Sequence, residues 1–170
     1  RADFRTDLFI FANLSMDTLD YAGPKLNEGS KGVLLGVGEP RRELPHEFTG
    51  PAPSGAKDVR VFSPGCLVVE GPSHGEDADF AALLARDPAV EGWPLVILSD
   101  DAARATRSAT NFLWSTFTRF DPASDITARE VELQSGHASY TPPVVIDARM
   151  KGYPEELFCD EETAALVDER

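Results

Sequence analysis

The sequence predicts a layered α/β domain, and three observations carry that prediction. Short apolar segments bounded by glycine and proline recur along the chain. Several are unbroken apolar runs, Leu95-Val96-Ile97-Leu98 and Val144-Val145-Ile146 above all, the pattern of strands buried on both faces of a sheet. Segments with helical spacing stand between these strands, and that interleaving points to an α/β architecture.

Taken in order, the first strand is Leu8–Leu14, apolar almost throughout, and 32–35 is a second. Residues 36–55, rich in proline and glycine and carrying the charged run 39–43, form a long loop, a hinge or an arm that packs on a partner. Strands follow at 59–62 and Cys66–Glu70. A helix over 77–86 places Ala78, Ala81, Ala82 and Ala85 at helical spacing with Phe80, Leu83 and Leu84, and Asp87-Pro88 stops it. The strand at 95–98 leads to a helix over 100–108, with Asp100 and Asp101 at its start and Arg104 and Arg107 toward its end. Residues 110–120 are ambiguous: Phe112, Trp114, Thr116, Thr118 and Phe120 alternate as a strand would, yet they follow a helix directly. A strand at 144–146 and a final helix over 160–170, with Asp160 as N-cap, complete the set. Residues 1–170 read as one domain.

Composition narrows the function classes. Against 16 Lys and Arg stand 29 Asp and Glu, a formal net charge of −13. Affinity for nucleic acid or an anionic membrane comes from clustered cations at phosphates, so neither is an expected partner. At 42% hydrophobic and 26% charged, the chain has the make-up of a folded protein. Cys66 and Cys159 form no CxxC, so neither a disulfide framework nor a cysteine-rich zinc site is expected, and a reducing cytoplasm suits the chain. No stretch approaches a membrane span, and Arg1-Ala2-Asp3-Phe4-Arg5 has no apolar leader core. The chain opens with Arg and runs at once into an apolar strand, as a piece of something longer would.

Gly71-Pro72-Ser73-His74-Gly75 is formally G-x-S-x-G between a strand and a helix, with Asp100 and His137 downstream in the Ser, Asp, His order of an α/β-hydrolase. That would make Ser73 the nucleophile of a serine hydrolase. Pro72 fixes φ and removes a donor at the turn, and a Pro/Gly turn explains the same residues. Gly29-Ser30-Lys31-Gly32 sets a hydroxyl and an ammonium in a glycine-flanked loop suited to an anion, without the spacing of a P-loop. Asp100-Asp101 ends a strand where α/β sheets put ligands, and also suits a helix N-terminus. Asp121-Pro122-Ala123-Ser124-Asp125, just after Arg119, offers paired carboxylates round a turn, either a salt-bridged turn or an acid/base pair. His46, His74 and His137 share no metal-ligand spacing, so no metal site is expected. His137, among small and polar neighbours, is the histidine best suited to a pocket.

Three passages carry a resemblance. They are Phe11 to Tyr21 continuing through Gly29-Ser30-Lys31-Gly32-Val33; Gly92 to Asp101; and Asn111 to Ile126 with Pro143 to Lys151. Together they resemble the C-terminal region of the UbiD family of reversible aromatic and acrylic acid decarboxylases. The pattern W-x-x-x-T-R-x-x-P-x-x-D, here Trp114 to Asp125, is the most specific part, and the likeness spans roughly residues 8–168.

The resemblance implies a C-terminal α/β domain that closes over a cofactor cleft, contributes a few substrate-facing side chains and builds a homo-oligomer. It implies that prenylated FMN, its manganese and potassium, and the acid/base network belong mostly to an N-terminal flavin-binding domain absent from these residues. No catalytic residue is therefore expected here, and the isolated chain is expected to bind no cofactor and to be inactive. The region after the motif makes His137 and Tyr140 substrate-facing candidates, with Arg119 as a cation for the incoming aromatic carboxylic acid. The family's lysine toward the flavin phosphate has no match before the 93–101 segment, which leaves Lys31, with Ser30, as the cofactor-binding candidate. An accessory or assembly subunit paired with a separate catalytic chain is the alternative from a different class.

Overall fold

The computed structural model describes residues 2–14, 29–152 and Ala165. The expected helix over 160–170 lies, Ala165 apart, outside the described residues.

Two sheets organise the chain. β1 (Leu8–Leu14) and β2 (Gly29–Leu34) form an antiparallel pair. β3 (Asp58–Ser63), β4 (Cys66–Glu70), β5 (Leu95–Ser99), β6 (Ile126–Gln134) and β7 (His137–Asp147) form a five-stranded sheet in the order β3-β4-β5-β7-β6. Its centre, β4, β5 and β7, is parallel, and an antiparallel strand closes each edge. Helices are short: α1 (Phe80–Leu84), α2 (Ala102–Ala105), α3 (Ala109–Phe117) and α4 (Pro122–Asp125). The expected mixed α/β class holds, with strand dominating helix.

Burial on both sheet faces follows from the apolar runs. Leu67, Val69, Val96, Leu98 and Val145 pack with Phe80, Leu84 and Trp93 on one face. Their neighbours in sequence, Cys66, Val68 and Ile97, pack with Ala102, Ala105 and Phe112 on the other, where the Phe62 and Phe112 rings stack at 3.7 Å. Side chains alternate along a strand, so only an unbroken apolar run can fill two such layers. A third cluster, Phe4, Leu8, Ala128, Tyr140 and Val144, joins β1 to the β6–β7 pair.

Several segments differ from expectation. The first helix is shorter than 77–86, and a single 3-10 turn over Pro88–Val90 follows it, capped by Asp87 through Ala89 N–H at 2.8 Å. The ambiguous 110–120 stretch is helical: Phe112, Ser115 and Thr116 are buried at helical spacing and Ser108 caps the first turn. Its strand-like alternation came from Trp114, which faces solvent. The 36–55 loop packs on its own chain, through Phe48 against Trp93 and through Gly65 N–H donating to Pro45 O at 2.8 Å. The β6–β7 hairpin extends a strand expected only at 144–146 back to His137.

Candidate functional site

Strand register brings one polar row to the carboxyl ends of the parallel strands, where α/β sheets bind ligands. Glu70 ends β4 opposite Ser99 of β5, and Asp147 ends β7 opposite Leu98. The loops beyond add Asp100, Arg119, Arg149 and Lys151.

These groups bind one another. Arg149 has no exposed surface; its Nε and Nη2 donate to the two Asp147 carboxylate oxygens at 2.9 and 2.7 Å. Its Nη1 donates to the carbonyls of Pro72 and Asp77 at 2.9 and 2.8 Å. Lys151 Nζ lies 3.3 Å from an Asp125 oxygen and donates to Asp147 O and Arg119 O at 2.7 and 3.1 Å. Asp100 accepts from Met150 N–H at 2.8 Å and from the Arg119 guanidinium at 3.4 Å. The arrangement locks the 71–77 loop, the α3–α4 junction and the end of β7 to each other. With cations and carboxylates already paired, it offers rigidity more than a free acid or base.

Of the cofactor- and substrate-binding residues expected from sequence, Arg119 and Ser30 reach this end, together with the carboxylates Asp100 and Asp125. Ser30, buried on β2, donates its hydroxyl to the Asp121 carboxylate and accepts from Ala123 N–H at 2.7 Å, so it caps α4. Lys31 is exposed on β2, paired in register with Phe11. His137 and Tyr140 stand elsewhere, because β7 runs from His137 to Asp147 and its rise of ~3.3 Å per residue separates those ends by up to about 30 Å. The His137 ring lies 5.0 Å from that of Phe9, with Nε2 3.2 Å from Arg5 O. Tyr140 is in the core, where burial pushes its hydroxyl pKa up. Arg119, His137 and Tyr140 thus do not share one pocket within this chain.

The triad reading of Ser73 is corrected. Its hydroxyl and N–H both donate to one Glu76 oxygen, at 2.9 and 2.8 Å, and hold that carboxyl below its ordinary pKa. His137 is at the other end of the sheet, and Asp100 is engaged with Met150 and Arg119. Gly71 serves packing: a Cβ there would meet a Phe80 ring atom at 2.7 Å. Asp101 caps α2 through Arg104 N–H at 2.8 Å, and Asp121 to Asp125 forms the salt-bridged turn.

Of the two cofactor-binding candidates, Lys31 is exposed. The Ser30 hydroxyl is committed to α4, and Arg149 and Lys151 to carboxylates and carbonyls. Among the described residues no group of three or more His, Cys, Asp or Glu is placed to hold a metal ion. No helix of the described residues is long and apolar enough to cross a membrane.

Arg149, Asp147 and Lys151 were missed as site residues. The available signal was Asp147-Ala148-Arg149-Met150-Lys151, charges at alternate positions directly after a buried strand. A cleft of about 630 Å³ opens at the opposite end of the sheet, near the starts of β4 and β5 and away from this cluster.

No protein-family model matches the chain, and no solved structure matches it. An uncharacterized protein of Chlamydia trachomatis is 43% identical over 171 residues, which cover 100% of this chain and 29% of that protein. A Chlamydia pneumoniae protein, named as a subunit of 4-hydroxybenzoate decarboxylase, is 43% identical over 165 residues, 96% of this chain and 28% of that one. An uncharacterized protein of Chlamydia muridarum is 40% identical over 171 residues, 100% of this chain and 29% of that one. The chain therefore spans less than a third of the length of the curated relatives it matches.

Proposed function

We propose that this chain is the C-terminal α/β domain of a UbiD-like aromatic acid decarboxylase, where it closes the substrate pocket and holds subunits together. The carrying observation is the fate of the Trp114 to Asp125 motif. Arg119 binds Asp100, Asp121 holds Ser30, and Asp125 pairs with Lys151. Trp114, with Leu113 and Phe117, is left exposed on α3 at 60%, 55% and 56%. The motif thus clamps the domain internally and turns an apolar helix face outward, which suits a scaffold that docks on a catalytic part.

The name of the Chlamydia pneumoniae relative supports the reaction class. On this reading prenylated FMN, manganese, potassium and the acid/base groups belong to the rest of the longer protein, and the assembly is a cytoplasmic homo-oligomer acting on an aromatic carboxylic acid. The word "subunit" in that name favours a second reading, an accessory subunit of a separate catalytic chain.

One experiment tests both. CO2 release from 4-hydroxybenzoate is measured for the longer protein, for the same protein lacking this region, for the isolated chain, and for the last two mixed. Activity in the longer protein alone is expected. Restoration by mixing favours the accessory role. Activity of the isolated chain, or full activity without this region, overturns the proposal.

A further inference from the structure

The cleft of about 630 Å³ lies between the N-terminal segment, the 36–55 loop and the starts of β4 and β5. Three arginines line it, Arg5, Arg41 and Arg42, in a chain of net charge −13. Its two carboxylates are already matched. Asp3 accepts from the Arg5 guanidinium at 3.0 and 2.9 Å, and Glu91 accepts from Arg129 at 2.6 Å. Arg41 and Arg42 are therefore surplus positive charge at this wall. Arg5, and more weakly Arg41, hold the Asp3 carboxyl below its ordinary pKa, which places Arg41 within electrostatic reach of the N-terminal side of the cleft.

The rest of the wall is largely apolar, with Leu44, Pro64, Leu95 and Pro142 among its members. The loop that carries the two arginines is fixed close by. Gly65, at φ +79°, donates its N–H to Pro45 O, and a Cβ on it would meet Leu44 at 2.8 Å. The 44–45 segment is thus seated on the β3–β4 turn, two residues from Arg42.

We propose that this cleft binds a small organic anion, its carboxylate met by Arg41 and Arg42 and its apolar body laid against Leu44, Leu95 and Pro142. Exposed cations by themselves hold a bare anion weakly, because water and salt screen them. An apolar wall beside them adds burial and selects a ligand with both parts. The inference stands on these residues alone, whatever reaction the longer protein carries out.

Calorimetric titration of the 170-residue chain with benzoate, its uncharged isostere benzamide, and inorganic phosphate tests it. Benzoate should bind about tenfold or more tightly than either of the others, as expected for a lost charged hydrogen bond or lost apolar contact. The Arg41→Gln, Arg42→Gln double variant should weaken benzoate by about tenfold with the circular dichroism spectrum and Tm unchanged, both side chains being exposed. Leu44→Ala should weaken benzoate and leave phosphate as it was. Benzamide binding as tightly as benzoate, no saturable benzoate binding, or a double variant that still binds like the parent overturns the proposal.

Discussion

Arg149 is the side chain on which the carboxyl-end cluster turns. A buried ion pair is no guarantee of net stability, since desolvating two charges offsets much of their attraction, but removing one partner strands the other. Asp147→Asn should therefore lower the unfolding free energy by about 3–5 kcal/mol in urea denaturation. Pairing it with Arg149→Met should cost far less than the sum of the single changes. Additive losses would mean that the two side chains do not act as a pair. Cys66 gives a pH-dependent counterpart. Burial pushes its thiol from 9.0 up to about 12, so the folded state keeps a proton that the unfolded chain releases. Stability from this source is full below pH 9.0 and declines as the pH rises toward about 12. Tyr140, raised by the same cause, adds loss in the same direction. Urea midpoints should fall between neutral and strongly alkaline pH, and by less in Cys66→Ala; an equal fall in both proteins would acquit the thiol.

At the scale of elements, the β6–β7 hairpin sets the reach of the sheet, and Ser135 and Gly136 set the hairpin. Both sit at positive φ, 52° and 84°, the arrangement of the primed turns whose twist matches paired strands. Gly136→Ala should cost about 1–2 kcal/mol in thermal denaturation, because a Cβ is strained at that φ. Ser135→Asn should be neutral or slightly stabilising, asparagine tolerating the same region; a clear loss there would count against the turn assignment. This hairpin also shows where the sequence was legible. Cys66–Glu70 and the strand at 95–99 announced themselves, because strands buried on both faces must be apolar throughout, whereas Leu8–Leu14 is as apolar but mostly exposed in the two-stranded sheet. β6 did not announce itself: it is an edge strand, mostly exposed, and its alternation is broken at Arg129-Glu130, where the pairing register shifts, so that Ile126 and Ala128 fall out of step with Val131 and Leu133. That short alternation and the Ser-Gly pair were the local signs. α3 was obscured for the opposite reason, since Leu113, Trp114 and Phe117 put apolar groups on its outer face and blurred the helical period. The fate of Arg149 was invisible locally, because its burial depends on the carbonyls of Pro72 and Asp77, more than 70 residues earlier.

Over the described residues, most of the exposed large apolar groups fall in two sets, with Leu83, Val131 and Leu133 apart from them. One is the α3 face; the other is Phe11, Val33, Leu34, Leu35 and Val37, on and just after the β1–β2 pair. Grouped exposure of this kind marks surfaces that another body covers, and the relatives have more than twice as much additional chain to cover them. Taken alone, the domain keeps these faces in water, and its net charge of −13 opposes association between copies. Salt screens that repulsion, with a Debye length of ~3 Å at 1 M against ~10 Å at 0.1 M, and leaves the apolar attraction in place. Light scattering of the 170-residue chain should therefore show mass rising with concentration and with salt. Leu113→Lys with Phe117→Lys should hold it monomeric at an unchanged Tm, both side chains being more than half exposed. The longer protein should not respond to salt in this way, because its own chain would occupy the α3 face. A parent domain that stays monomeric at high salt, or a double variant that associates as the parent does, would remove α3 as the docking face and with it the structural basis for a scaffold role.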